Sequence, residues 1–285
     1  MDGMTTTNKT FDIGGDLTVN RLGFGAMRLP MGTFDGPART PENAIAVLRR
    51  AVELGVNHID TAGFYNRGDV RANDVIRAAL HPYPDDLVIA TKVGPLPGPD
   101  GMPSRQATAD ELRGLVETDL RDLGLDRLDV VHLRVGGMTG PGGESIAERF
   151  AVLAGLREEG LIRHLGVSNV DAAQLAEARA IAPVATVQNT HADDMALLAE
   201  CEKAGIGYAP FFPLGGGRTP LDTARLAEVA ARLGATVAQV QLASLLARSP
   251  ALLAIPGTGS PDHLEENMGA GDLVLGDEDL AYLRG

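Results

Sequence analysis

The sequence is short of lysine, cysteine and tryptophan. Of its 25 basic residues only Lys9, Lys92 and Lys203 are lysine, and the remainder are arginine. One cysteine, Cys201, excludes an internal disulfide. Tryptophan is absent, so no pocket can have an indole wall. Basic charge is also in deficit: the 285 residues carry a net charge of -13 and the pI is about 4.9. That balance excludes a general nucleic-acid binder, which needs a basic footprint, and disfavours anionic membrane surfaces. No apolar run reaches the ~18 residues of a spanning helix. Met1 to Thr10 is polar, without the apolar stretch of a signal peptide. A cytoplasmic protein is the default expectation. No metal site is expected, because His132, His164 and His191 lack ligand spacing and Cys201 stands alone.

What is present is alternation. Strand-like runs at Leu22–Met27, Asn57–Thr61, Leu87–Lys92, Leu128–Arg134, Ile162–Val167, Val184–Gln188, Ile206–Phe211 and Leu252–Ile255 are separated by helical patterns. The helix over Glu42–Leu54 is representative. Ile45, Leu48 and Val52 with Val47, Ala51 and Leu54 form an apolar stripe, Thr40 is an N-cap, Pro41 fills the first turn, and Gly55 ends it. Strand–helix alternation implies parallel strands with right-handed crossovers. Eight such units in this length predict one α/β domain over residues 1–285, a (β/α)8 TIM barrel. A doubly wound sheet is the rival, but Gly23-Phe24-Gly25-Ala26-Met27 lacks the third glycine of a dinucleotide-binding turn. Gly94–Pro103 and Gly136–Gly143 read as loops on the catalytic face.

Barrel active sites lie at the C-terminal ends of the strands. There the sequence places Asp60 and, just beyond, Tyr65; then Lys92; then His132 and Arg134. A tyrosine holds its proton tightly at neutral pH, and a nearby ammonium stabilises the phenolate. Lys92 can supply that ammonium and Asp60 can hold it protonated. Tyr65 then becomes a general acid suited to protonating a carbonyl oxygen as hydride reaches the carbon. Individually each residue has an ordinary reading: Asp60 as a loop cap, Tyr65 as a half-buried loop residue, Lys92 as a snorkelling edge lysine. The combination on successive strand ends is the informative feature.

With these residues in place, the chain resembles the aldo-keto reductase family from about Arg21 to Asn267. The resemblance rests on Leu22-Gly23-Phe24-Gly25-Ala26-Met27, His58-Ile59-Asp60-Thr61-Ala62 with Tyr65, Thr91-Lys92, Leu123-Gly124-Leu125-Asp126-Arg127-Leu128-Asp129, Gly166-Val167-Ser168-Asn169, Val187-Gln188-Asn189, Phe212-Pro213-Leu214-Gly215 and Ile255-Pro256-Gly257-Thr258 through Asn267. It implies a barrel that binds NADPH, with NADH as the alternative, and reduces a small-molecule aldehyde or ketone. The family's catalytic Asp, Tyr and Lys fall on Asp60, Tyr65 and Lys92. Its nicotinamide-binding Ser, Asn and Gln fall on Ser168, Asn169 and Gln188, and the stacking aromatic on Phe211. Gly25, Ala26 and Met27 line the cofactor groove. The segment of Pro213, Leu214, Gly215, Gly216 and Arg218 would wrap the pyrophosphate. Gly257, Thr258, His263, Glu266 and Asn267 match the adenosine end.

Two departures stand out. The family usually ends strand four in histidine, where this chain has Arg134; His132 lies two residues earlier, on the same side of the strand. Replacement by Arg134 is the favoured reading. An arginine donates to a developing oxyanion but does not exchange protons near neutrality. It also favours carbonyls beside a carboxylate. The second departure is at the 2′-phosphate end, where the family's Lys and Arg are Gly257 and His263. Reduction of an activated C=C bond and a weakly catalytic nucleotide-binding subunit are the alternatives. The sequence leaves the natural substrate and the oligomeric state open.

Overall fold

A computed structural model describes residues 9–32, 40–98, 103–137, 140–190, 194–217 and 223–284. Seven parallel strands form one curled sheet: β1 (Phe24–Gly25), β2 (His58–Asp60), β3 (Val88–Val93), β4 (Leu128–Arg134), β5 (Ile162–Ser168), β6 (Val184–Gln188) and β7 (Gly207–Tyr208). Each pairs with its sequence neighbour in the barrel. The eighth position is held by the run around Leu252–Ala254, which makes parallel bridges to Tyr208 on one side and Leu22 on the other. Gly23 N donates to Ala254 O at 2.8 Å and Leu253 N donates to Tyr208 O at 2.8 Å, so the ring is closed by hydrogen bonds. The barrel expected from the alternation is thus the fold observed.

Closure explains two glycines. A Cβ on Gly25 would come within 2.6 Å of Ile255 O, and one on Gly257 within 2.5 Å of Gly25 O. The first and eighth strands therefore approach backbone to backbone, which only glycine permits.

Helices cover the outside. They include α1 (Pro41–Glu53), α2 (Ala72–Leu80), α3 (Ala109–Leu123), α4 (Ala147–Glu158), α5 (Ala172–Ile181), α6 (Met195–Ala204), α7 (Thr223–Leu233), α8 (Val237–Leu246) and α9 (Pro261–Met268). Thr40 caps α1 as expected, accepting from Asn43 N. None is long and apolar enough to cross a membrane. The main core lies between helices and wall, with Ile59, Ile89, Val131, Leu133 and Val167 packed against Val47, Ile76, Val116 and Leu153. Inside the barrel, Val88, Ala90 and Val130 pack against Ile13, Leu17 and Val19.

Those last three residues belong to an antiparallel hairpin, Thr10–Ile13 with Leu17–Asn20, that the sequence reading did not identify. It seals the end of the barrel opposite the catalytic face. Two further departures are local. The sequence pattern predicts a helix over Val70–Leu80, but α2 starts at Ala72, because Val70–Arg71 pairs with Asn66–Arg67 as a short ladder. The expected loop after β3 contains a second ladder, Pro95–Pro97 with Pro103–Gln106.

Candidate active site

Alternation along the strands sends every second side chain into the barrel. On β4 these are Val130, His132 and Arg134 in ascending order. Val130 touches the hairpin layer. His132 lies one level above, fully engaged: Nδ1 contacts Thr91 O at 3.3 Å and Nε2 contacts Thr186 Oγ1 at 2.9 Å. Arg134 is at the top. Strand register places it beside Ser168, and Ser168 beside Gln188. That row crosses the catalytic end of β4, β5 and β6.

Opposite the row, Asp60 ends β2 and Lys92 lies near the end of β3. Lys92 Nζ donates to Asp60 Oδ1 at 2.6 Å and to Thr61 O at 2.9 Å. The pair is buried, with Lys92 2% and Asp60 3% exposed, which prevents water from screening it. The other Asp60 oxygen accepts from Gln188 Nε2 at 2.7 Å. Tyr65, on the turn after β2, has its ring centroid 4.8 Å from Lys92 Nζ. Asp60, Tyr65, Lys92 and Gln188 thus form one connected group.

Charge is stabilised unevenly within it. Burial disfavours the Lys92 ammonium, but the Asp60 carboxylate and the Tyr65 hydroxyl outweigh burial and raise its pKa. Lys92 is a fixed cation. His58 and His132, buried beneath it, are pushed down to about 4 mainly by burial. Both are neutral at physiological pH, so neither competes with Lys92 as the local positive charge. Burial also lowers the Arg134 pKa, against the pull of Tyr65 and Asp60.

The sequence-predicted cofactor residues fall into several groups. Arg134 Nη1 donates to Ser168 Oγ at 3.2 Å, and its guanidinium carbon lies 4.8 Å from the Phe211 ring centroid. Asn169 has a left-handed backbone, φ 63°. Its amide nitrogen donates to Val135, Gly137 and Gly140 carbonyls at 2.8, 3.1 and 2.8 Å, so it ties down the loop after β4. Pro213 and Leu214 lead into a tight turn over Gly215–Gly217, and Arg28 Nη2 reaches across to Gly216 O at 2.6 Å. Arg28 directly follows Gly25, Ala26 and Met27, so it joins the two segments expected to border the groove. Arg218 lies outside the described residues. Thr258 precedes α9, on which His263, Glu266 and Asn267 share one face by their i, i+3, i+4 spacing.

One buried atom bears on the fit of a cofactor. Gln188 Oε1 has no hydrogen-bond partner among the described residues. The orientation is fixed, because a carboxylate accepts only and so requires the Gln188 Nε2 toward Asp60. A buried carbonyl oxygen without a donor is costly. A primary amide N–H, such as that of a nicotinamide carboxamide, is the donor it fits.

The sequence reading missed a second polar group on the outer face of the wall. Thr61 and Thr91 point away from the barrel interior, toward α2 and α3, where they meet Asn73 and Asp119. A signal existed: Asp119 falls in the apolar stripe of α3, in register with Leu112, Val116 and Leu123.

A sequence model of the Aldo/keto reductase family matches residues 21–285. Pyridoxine 4-dehydrogenase of Escherichia coli is 49% identical over 285 residues, covering 98% of each chain. An uncharacterized oxidoreductase of Schizosaccharomyces pombe is 38% identical, covering 94% of this chain and 87% of its own. The crystal structure of an aldo/keto reductase from Klebsiella pneumoniae in complex with NADP and acetate superposes with a TM-score of 0.79 at 28% identity, covering 97% of this chain and 94% of that one. Fold, connected polar group and these similarities converge: the chain belongs to the aldo/keto reductase family.

Proposed function

We propose that the protein uses NADP(H) to interconvert a pyridoxine-type alcohol and its 4-aldehyde. Carbonyl reduction is the chemistry of the family; the substrate reading rests on the 49% identical pyridoxine 4-dehydrogenase. The observation that carries the mechanism is the buried Asp60–Lys92 pair set against Tyr65.

When bound, NADPH supplies a hydride from C4 of its nicotinamide. Tyr65 donates its phenolic proton to the carbonyl oxygen as that oxygen becomes negative. The Lys92 ammonium stabilises the phenolate left behind, and Asp60 keeps Lys92 charged and in place. Arg134 donates N–H groups to the carbonyl oxygen without exchanging a proton. The 4-aldehyde of pyridoxal stands beside the 3-hydroxyl, so the forked N–H groups of a planar guanidinium suit the carbonyl oxygen and the neighbouring phenolic oxygen together. A carbonyl beside a carboxylate, expected from the sequence, would engage the same guanidinium.

Gln188 Oε1 and the Ser168 hydroxyl would hold the nicotinamide carboxamide, and Phe211 would provide a ring face. Backbone N–H groups of the Gly215-Gly216 turn suit the pyrophosphate. Thr258, His263, Glu266 and Asn267 would receive the adenosine. NADPH is preferred over NADH because the similar Klebsiella pneumoniae structure holds NADP. No lysine follows Lys203, so any 2′-phosphate is held without an ammonium from the C-terminal end.

The test is NADPH consumption with pyridoxal, with the product identified chromatographically. Pyridoxine should form, at a kcat/KM at least about tenfold above that for benzaldehyde, which lacks the adjacent oxygen. No turnover of pyridoxal alongside good turnover of benzaldehyde would remove the substrate reading and leave the carbonyl chemistry standing.

A further inference from the structure

The polar group outside the barrel wall has no place in the chemistry above, yet it is buried among apolar side chains. Asp119 on α3 is 1% exposed. Its Oδ2 accepts from Thr91 Oγ1 at 2.6 Å and its Oδ1 from Asn73 Nδ2 at 3.0 Å. Asn73 Oδ1 in turn accepts from Thr61 Oγ1 at 2.8 Å. The core between the wall and the helices is otherwise apolar and includes Ile59 and Ile89 on the strands and Ile76, Leu112 and Val116 on α2 and α3. An apolar set would fill such a space at less desolvation cost.

Position explains the exception. Thr91 is the chain neighbour of Lys92, and Thr61 is the neighbour of Asp60. Because strand side chains alternate, the threonines point out where the charged pair points in. The Thr61 carbonyl also accepts from Lys92 Nζ. The Tyr65 segment is attached as well. Ala72 N, at the start of α2 and adjacent to Asn73, donates to Tyr65 O at 2.9 Å. Gly63, midway between Thr61 and Tyr65, packs onto Asp119 so closely that a Cβ would lie 2.4 Å from Oδ1. One carboxylate therefore braces the three segments that present Asp60, Tyr65 and Lys92.

We propose that Asp119 is a positioning residue that sets the placement of Lys92 and Asp60 against Tyr65 from behind the barrel wall. The inference rests on the assignment of those three residues above. Asp119 touches neither substrate nor cofactor, and its effect is transmitted through Thr91, Asn73 and Thr61.

The network has an internal control. In Asp119→Asn the remaining carbonyl oxygen can accept from Thr91, while the new amide donates to Asn73 Oδ1. A flip of Asn73 then lets its amide nitrogen donate to the Thr61 hydroxyl, which accepts as readily as it donates. The brace is retained without charge. Asp119→Ala removes it, and Thr91→Val removes one arm with little change of shape.

The experiment measures kcat, KM for the aldehyde and NADPH affinity for these variants and for Tyr65→Phe, corrected for folded fraction. Asp119→Ala should lower kcat by about tenfold or more, since sub-ångström to 1 Å misplacement of reacting groups costs on that order. KM and NADPH affinity should stay within about twofold, the pattern of a loss confined to the chemical step. Thr91→Val should show a smaller fall of the same kind, and Asp119→Asn should recover kcat to within about threefold of the parent. A purely structural role would lower the melting temperature and leave kcat per folded molecule unchanged. That outcome in Asp119→Ala, or in Thr91→Val should Asp119→Ala not fold, overturns the inference while inactive Tyr65→Phe leaves the site assignment intact. Full activity of Tyr65→Phe would remove the assignment and the inference together.

Discussion

Lys92 Nζ and Asp60 Oδ1 lie 2.6 Å apart in a part of the barrel where neither is more than 3% exposed. The pair is held on both sides, by Thr61 O at the lysine and Gln188 Nε2 at the aspartate. Two buried charges with complete partners balance one another, whereas either alone is an uncompensated charge in a poor solvent.

Lys92→Met should therefore be destabilising by about 3–5 kcal/mol, and Asp60→Asn combined with Lys92→Met should recover part of that loss. Denaturant unfolding of the single and double variants measures it. A double variant less stable than either single one would contradict the pairing.

Gln188→Met keeps the volume and removes the orphaned oxygen together with the Asp60 contact. NADPH affinity should fall about tenfold, in keeping with a lost hydrogen bond to a buried amide. Fluorescence titration of NADPH reads this directly, and unchanged affinity would exclude Gln188 from the carboxamide site.

Arg134→Met should lower kcat/KM for both aldehydes, because both lose a donor to the carbonyl oxygen, and should cost pyridoxal about 10–100-fold more than benzaldehyde, erasing its advantage. Equal losses on both aldehydes would mean that Arg134 serves the carbonyl alone.

Stability against pH should show opposing contributions. His58 and His132 titrate near 6.5 when unfolded and at about 4 when buried. Between those values the unfolded chain takes up protons that the folded chain refuses, so stability falls as pH drops. Asp119 is pushed from 3.8 up to about 7 by burial, so the folded chain keeps a proton that the unfolded chain releases. Its contribution falls as pH rises over that span. The melting temperature of Asp119→Asn relative to the parent should accordingly increase from about pH 4 to about pH 7. A difference that is flat across this range would contradict the raised proton affinity that burial gives Asp119.

The readable part of this protein was local or periodic. Stripes such as Val47, Leu48 and Ala51 reveal helices, and a near-continuous apolar run such as Val88–Ala90 reveals a strand buried on both faces. Asp60, Lys92 and Arg134 were found because the fold concentrates chemistry at strand ends. The hairpin over Thr10–Asn20 left no comparable signal: it is short, and its apolar residues Ile13, Leu17 and Val19 gain meaning only as a plug for an already closed barrel. The Asp119 brace was invisible for a different reason. Its hydrogen-bonded pairs are 12 to 46 residues apart in the chain, so no spacing joins them. Only the carboxylate within the apolar stripe of α3 hinted at it. His132 and Arg134 share a strand face, and only the register with Thr91, Thr186 and Ser168 separates the deep residue from the one at the rim.

The central claim is that the proton comes from Tyr65. Tyr65→Phe removes a single oxygen and leaves Asp60, Lys92 and Gln188 in contact. Single-turnover reduction of pyridoxal by this variant, preloaded with NADPH, tests the claim most directly. The rate should fall by about 100-fold or more, the usual worth of a general acid, with NADPH affinity preserved. A rate equal to that of the parent would show that the proton comes from elsewhere.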